Sequence, residues 1–393
     1  MIYLDNAATT HISPEVVEEM LPFLGERFGN PGAIYKIGRE AAQAVDKARE
    51  RVARLFGAEP EQIIFTSGGS EANNMVFKGI EPHLLKYDKS TVLVSKTEHD
   101  SVMKAAEAFS ERSLFSHTDF IPVNRFGEVR TDELEEMLDC YGAVGLVSVM
   151  YVNNETGAVN DVEAVGRLCR KHKVLFHTDC VQAAGCQPIN VGKIDCDFAS
   201  VSSHKIHGCK GVGALYVRDK SLLSPIIHGG STQEFGLRGG TENVSGIVGF
   251  GKAAELAYEA QEAALEKVTN LKLRFFKTVS ERLIKCGFCD VISVNGKLET
   301  PGKTLSLCFK NTDAETLVLM LDARDVCISA GSACRSHESE PSSTLLAMGL
   351  TPDEARDSIR ISFSGENTPE ETEKAAVILA NCVATMSDVK IMC

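Results

Sequence analysis

Asp197-Phe198-Ala199-Ser200-Val201-Ser202-Ser203-His204-Lys205-Ile206-His207-Gly208 is a short apolar run that breaks into hydroxyls, histidines, one lysine and a glycine. The apolar part has strand length, and Lys205 stands just past its carboxyl end. On its own the stretch is equally a surface loop carrying an ordinary lysine. Its surroundings decide between the two. Further short apolar strands are expected at 63–65, 91–94, 144–149, 174–177 and 213–217, with helices at 71–79, 101–109, 131–138 and 162–171. That alternation predicts a mostly parallel sheet covered on both faces, the α/β class. In such sheets ligands bind beyond the carboxyl ends of the strands, where Lys205 stands.

The flanks follow helical rules. Ser13-Pro14 reads as an N-cap with proline at the first helical position, and Pro22 should kink or shorten the helix that follows. Residues 39–56 form an amphipathic helix with Ala42, Val45, Ala48, Val52 and Leu55 inward and Gly57 as its stop. From Val244 to Lys285 the pattern is helical and charged, a long connection into a C-terminal domain. There, strands are expected at 304–309 and 326–329 and helices at 314–321, 342–348 and 369–386.

With 393 residues and 44% hydrophobic content, the chain can bury a large core and a smaller one. Its net charge of −13, with dispersed basic residues, argues against direct nucleic-acid binding or an anionic membrane surface. No apolar run reaches membrane-spanning length, and the first residues lack the basic and apolar regions of a secretory signal. Thirteen scattered cysteines suggest reduced thiols and a cytoplasmic location. Cys286-Gly287-Phe288-Cys289 is a lone CxxC without partner ligands, so no zinc site is expected.

Several polar motifs fall at the expected strand ends. Thr66-Ser67-Gly68-Gly69-Ser70-Glu71-Ala72-Asn73 passes from strand to helix; its free N–H groups and Ser70 hydroxyl suit a phosphate, or Ser70 simply caps the turn. His99 follows strand 91–94 and can stack on a flat ring or move protons. Asp179 and Gln182 follow strand 174–177. A carboxylate beside a pyridine nitrogen keeps it protonated, and an amide can donate to a phenolic oxygen. With a lysine at a neighbouring strand end, these are the needs of pyridoxal phosphate. Arg238-Gly239-Gly240-Thr241-Glu242-Asn243 is a phosphate turn or a loop capped by Thr241. Arg360, in the alternating stretch Asp357–Ser362, could clamp a carboxylate or be a salt-bridged edge arginine. In 327–341 a strand dissolves into Ala330-Gly331-Ser332-Ala333-Cys334-Arg335-Ser336-His337. Nothing there is apolar enough to bury Cys334, and a basic setting favours its thiolate.

Taken together, the chain resembles the cysteine desulfurases of the class V aminotransferase family, of the nitrogen-fixation and iron–sulfur-cluster assembly type. The likeness runs nearly end to end. It includes Tyr3-Leu4-Asp5-Asn6-Ala7-Ala8-Thr9-Thr10, Phe28-Gly29-Asn30-Pro31, Thr66-Ser67-Gly68, Thr97-Glu98-His99, Asn153-Asn154-Glu155-Thr156-Gly157, His204-Lys205 and Gly331-Ser332-Ala333-Cys334.

The resemblance implies a pyridoxal-phosphate-dependent transferase of fold type I. Residues 15–255 would form the large cofactor-binding domain. Residues 256–393 would form a small α+β C-terminal domain carrying the cysteine loop, with 1–14 packing near it. Lys205 would be the Schiff-base lysine. Asp179 would pair with the pyridine nitrogen, Gln182 and Asn154 would sit at the ring face and phenolic oxygen, and His99 would stack on the ring. Gly69, Ser70, Ser202 and His204 would hold the phosphate, with Thr241 supplied by the second subunit of a homodimer. Asn30, Asn154 and Arg360 would receive the substrate carboxylate. Cys334, on a loop of the long mobile kind, would take sulfur from L-cysteine as a persulfide and leave L-alanine. The persulfide would pass to an acceptor such as an iron–sulfur scaffold, and a transient iron–sulfur contact at Cys334 is the only metal role expected. Selenocysteine lyase, or another class V enzyme, is the alternative. The sequence departs from the family at Cys180, often alanine; at Gly69, in a turn often reading Gly-Ala-Thr; and at Cys209, commonly proline.

Overall fold

The computed structural model describes residues 1–111, 116–288, 290–331 and 340–391. A two-residue strand, β1 (Ile2–Tyr3), opens the chain. The central sheet follows: β2 (Ile63–Thr66), β3 (Thr91–Ser95), β4 (His117–Ile121), β5 (Val144–Ser148), β6 (Leu175–Asp179), β7 (Phe198–Ser202) and β8 (Gly213–Val217). Their order is β2-β8-β7-β6-β5-β3-β4, with β8 antiparallel to both neighbours and every other pair parallel.

Both faces of this sheet are covered, which is why its strands are continuously apolar. Alternate residues feed different cores. Phe65, Leu93, Val147 and Ala199 point into one cluster, and Ile64, Val92, Leu146 and Phe198 into another. The helix Lys36–Phe56 packs into the first, and Gly57 ends it in the left-handed conformation at φ 63°.

The C-terminal part is built on β9 (Ile292–Asn295), β10 (Thr304–Phe309) and β12 (Ser358–Ser362), antiparallel in the order β12-β10-β9. β11 (Val326–Cys327) pairs in parallel with β1, and Ile2 and Leu4 join the C-terminal core. The helix Val244–Lys285 ties the two parts together. At 42 residues it runs roughly 60 Å. Ile247 and Phe250 near its start lie in the first core, and Val268, Leu271 and Phe275 in the C-terminal one.

Some local expectations are corrected. Ser13 occupies the N-cap position of helix Pro14–Leu24, but its side chain caps nothing, and its buried hydroxyl lacks a partner. Pro22 lies inside that helix, which ends two residues later; the carbonyl it deprives of a donor belongs to the exposed Glu18. The long helix is capped by Asn243, whose side chain accepts from Gly246 N at 3.2 Å, and not by Thr241. β4 and helix Glu81–Lys86 carried too little apolar periodicity to be foreseen.

Candidate active site

The site forms where the central strands end. Register pairs Asp179 of β6 with Ser200 of β7, so the carboxylate lies beside the turn that carries Lys205. A cavity of about 260 Å³ opens there, and its walls include Ala7, Gly69, His99, Asp179, Gln182 and Lys205. Of the other expected residues, Ser70, Asn154, Ser202, His204 and Arg360 also line it.

Lys205 Nζ donates to the carbonyls of Ala7 and Ala8 at 2.6 and 2.7 Å, so the N-terminal segment fixes the amine. Asp179 is buried. It accepts from Val181 N at 2.9 Å and from Asn73 Nδ2 at 2.8 Å, and no ion pair reaches it among the described residues. Asn73 Nδ2 also donates to Ser101 Oγ at 2.9 Å, which lies 2.8 Å from His99 Nδ1. Ser101 N donates to that same Nδ1 at 3.1 Å, so Nδ1 is an acceptor and the neutral ring carries its proton on Nε2. Asn73 and Ser101 thus couple aspartate to histidine. The sequence did not reveal them, because an asparagine inside one helix and a serine opening another have no spacing signature.

Glu98 is also buried. Burial, with the Asp179 charge second, pushes its carboxyl well above the usual carboxylate range, against the hydrogen bond from Met150 N. Burial therefore favours its protonated form, beside the Asp179 carboxylate. His204 is neutral too. Burial, then the charges of Lys205, Lys210 and Lys303, lower its pKa to about 4, and its Nδ1 lies 3.1 Å from Thr9 Oγ1.

One end of the cavity is a cradle. Gly69 opens the 11-residue helix Gly69–Gly79, with Gly68 at φ 154° before it. A Cβ on Gly69 would stand 2.7 Å from Val181 Cγ2. The free N–H groups there face the same opening as Ser70, Ser202, His204 and Lys210.

Arg360 is 2% exposed; its Nη2 pairs with Asp5 Oδ1 at 2.7 Å, its Nη1 donates to Asn154 O at 3.1 Å, and its Nε lacks a partner. Asn30 and Thr241 are not brought into the cavity. Both are exposed, and Asn30 Oδ1 accepts from Gly32 N at 2.9 Å. Cys334 lies outside the described residues. Cys180, beside Asp179, faces the first core instead of the cavity, and burial holds it as a thiol.

These residues fit pyridoxal phosphate. A buried carboxylate without a cation suits a protonated ring nitrogen. Gln182 Nε2 donates to Ala7 O at 2.9 Å, leaving a second proton, while its Oε1 and Asn73 Oδ1 are buried acceptors without partners. The glycine cradle with its hydroxyls suits a phosphate.

A mostly parallel sheet with this lysine and aspartate at its strand ends defines the fold type I class of pyridoxal-phosphate-dependent transferases. Residues 2–374 match the Aminotransferase class-V family, and the chain belongs to it. It is 39% identical over 382 residues to a protein of Dictyoglomus turgidum named cysteine desulfurase IscS, covering 97% of this chain and 94% of that one. A solved structure described as a NifS-like protein superposes with a TM-score of 0.86 at 34% identity, covering 98% of this chain and 99% of the other. Another, described as SspA in complex with cysteine, gives 0.76 at 32% identity, covering 94% and 100%.

Proposed function

We propose that this protein is a cysteine desulfurase that takes sulfur from L-cysteine and leaves L-alanine, with pyridoxal 5'-phosphate as cofactor and Cys334 as sulfur carrier. The observation that carries the proposal is the convergence of the Lys205 amine and the cation-less Asp179 carboxylate on one cavity. The names of the relatives and the cysteine complex of one neighbour support the choice of substrate.

Bound there, the cofactor supplies a sink for the electrons released at the substrate's Cα. Lys205 would carry the cofactor covalently, and its Nζ then moves the proton at Cα. Asp179 would hold a proton on the ring nitrogen. Gly69, Ser70, Ser202 and neutral His204 would hold the phosphate, joined by Thr241 of the second subunit in a homodimer. Gln182 and Asn154 would orient the ring, and His99 would stack on it and exchange a proton with the substrate thiol through Nε2. Arg360, with Asn154 and Asn30, receives the substrate carboxylate. Asp5 takes one nitrogen of the guanidinium and so fixes its plane. The Cys334 thiolate attacks the substrate sulfur. The S–Cβ bond breaks with its electron pair going to the carbon fragment, which takes up protons and leaves as alanine, while the new S–S bond makes the Cys334 persulfide; a cytoplasmic acceptor such as an iron–sulfur scaffold then takes the outer sulfur.

Two variants test these roles. Lys205→Ala should abolish alanine formation and the covalent cofactor link that borohydride traps. Cys334→Ser should keep the cofactor's absorbance and lose sulfide release. Turnover retained in the first, or sulfide release retained in the second, contradicts the assignment.

A further inference from the structure

Lys205 lines a second cavity, of about 330 Å³, between the N-terminal segment, the Val244–Lys285 helix and the C-terminal part. Most of its wall is apolar, from Leu256, Ala257, Ala264, Val268 and Phe363. Into it faces Lys303, only 6% exposed. Lysine is almost never buried this far without a partner. Yet among the described residues no hydrogen bond or ion pair reaches Lys303 Nζ. The charged groups around it do not serve as counter-ions. Burial, opposed by Lys303 itself, holds Cys186 as a neutral thiol, and Arg360 is a like charge already paired with Asp5. Glu15 and Glu366 also line the cavity, but among the described residues neither forms an ion pair with Lys303; Glu366 lies 2.9 Å from His11 Nε2 and 3.8 Å from His207 Nδ1. An apolar chamber with a buried, unpartnered lysine fits an amphipathic anion.

We propose that this cavity is a second binding site, for a short-chain aliphatic monocarboxylate. Its carboxylate pairs with Lys303 Nζ, and its hydrocarbon chain lies against the long helix. A volume of about 330 Å³ holds roughly ten non-hydrogen atoms at liquid density, room for the roughly eight of a six-carbon carboxylate. Nothing in this assignment depends on the desulfurase reaction. Because Lys205 borders both cavities, the bound chain touches the turn that carries the catalytic amine.

Equilibrium dialysis of the cofactor-loaded enzyme with isotope-labelled hexanoate tests the site. Saturable binding is expected, with uncharged hexanamide competing at least about tenfold more weakly, as loss of one charge-assisted pair implies. Lys303→Met should weaken hexanoate binding by about the same factor, and Ala264→Phe, which fills the chamber from its helix wall, should abolish it. Both variants should keep the cofactor's absorbance, which separates this chamber from the catalytic cavity and its Arg360. Absence of saturable binding at millimolar hexanoate overturns the proposal, as does equal competition by hexanamide. Binding unchanged in both variants would place the anion elsewhere and overturn it too.

Discussion

At Glu98 two buried carboxyls share one region, with unequal hydrogen-bond partners. Asp179 has two hydrogen-bond donors, whereas Glu98 has the Met150 N–H and an Oε2 without a partner. The Glu98 pKa is raised in the folded protein, so the native state holds a proton there that the unfolded chain releases near pH 4.3. Its favourable contribution is complete below about pH 4.3 and falls as pH rises toward the folded value. Glu98→Gln removes that titration. Thermal unfolding at fixed cofactor concentration should show the variant gaining on the wild type above about pH 4.3, by up to roughly 1.4 kcal/mol per pH unit. Parallel pH profiles would mean that Glu98 is ionised in the fold. Lys205, Asp179 and His99 were legible in the sequence because each follows a strand. The Asn73–Ser101 relay between them was not, since it joins residues 28 apart through helix packing alone.

Among the elements, the strand-to-helix turn after β2 carries the sharpest steric demand. Gly69 has no room for a methyl group beside Val181, whose own N–H holds Asp179. Gly69→Ala should therefore disturb cradle and carboxylate together. The expected result is at least about a tenfold loss of cofactor affinity in an absorbance titration, with about 1–3 kcal/mol of stability lost in urea. Unchanged affinity would remove Gly69 from the phosphate site. The helix Val244–Lys285 was readable in full because its charged pattern is long and uninterrupted. Shorter pieces were not. Ser13 followed by Pro14 has the composition of a cap, but its buried hydroxyl caps nothing and has no partner, a tertiary outcome that no local rule predicts.

Across the whole molecule the N-terminal eight residues have a role larger than their length. They pair with β11, fill the C-terminal core through Leu4, fix Arg360 through Asp5, and supply the carbonyls that hold Lys205. The sheet class followed from the alternation of strands and helices; this stitching did not, because it joins residues about 200 to 350 apart. Integrity of the C-terminal core should accordingly matter to the distant amine. Phe275 packs edge-on against Phe363 at 5.6 Å within that core, and Phe275→Ala should cost about 3–5 kcal/mol in urea unfolding. A cost below 1 kcal/mol would show that the core closes without it. In the proposed reaction Lys205 activates cysteine while Cys334, more than a hundred residues later, carries the sulfur away. Peptide mass spectrometry of the cofactor-loaded enzyme after addition of L-cysteine, without reductant, tests it most directly. One added sulfur on the Cys334 peptide, absent in Lys205→Ala, is predicted; alanine formed while Cys334 stays unmodified, or sulfur found on Cys327 instead, would contradict it.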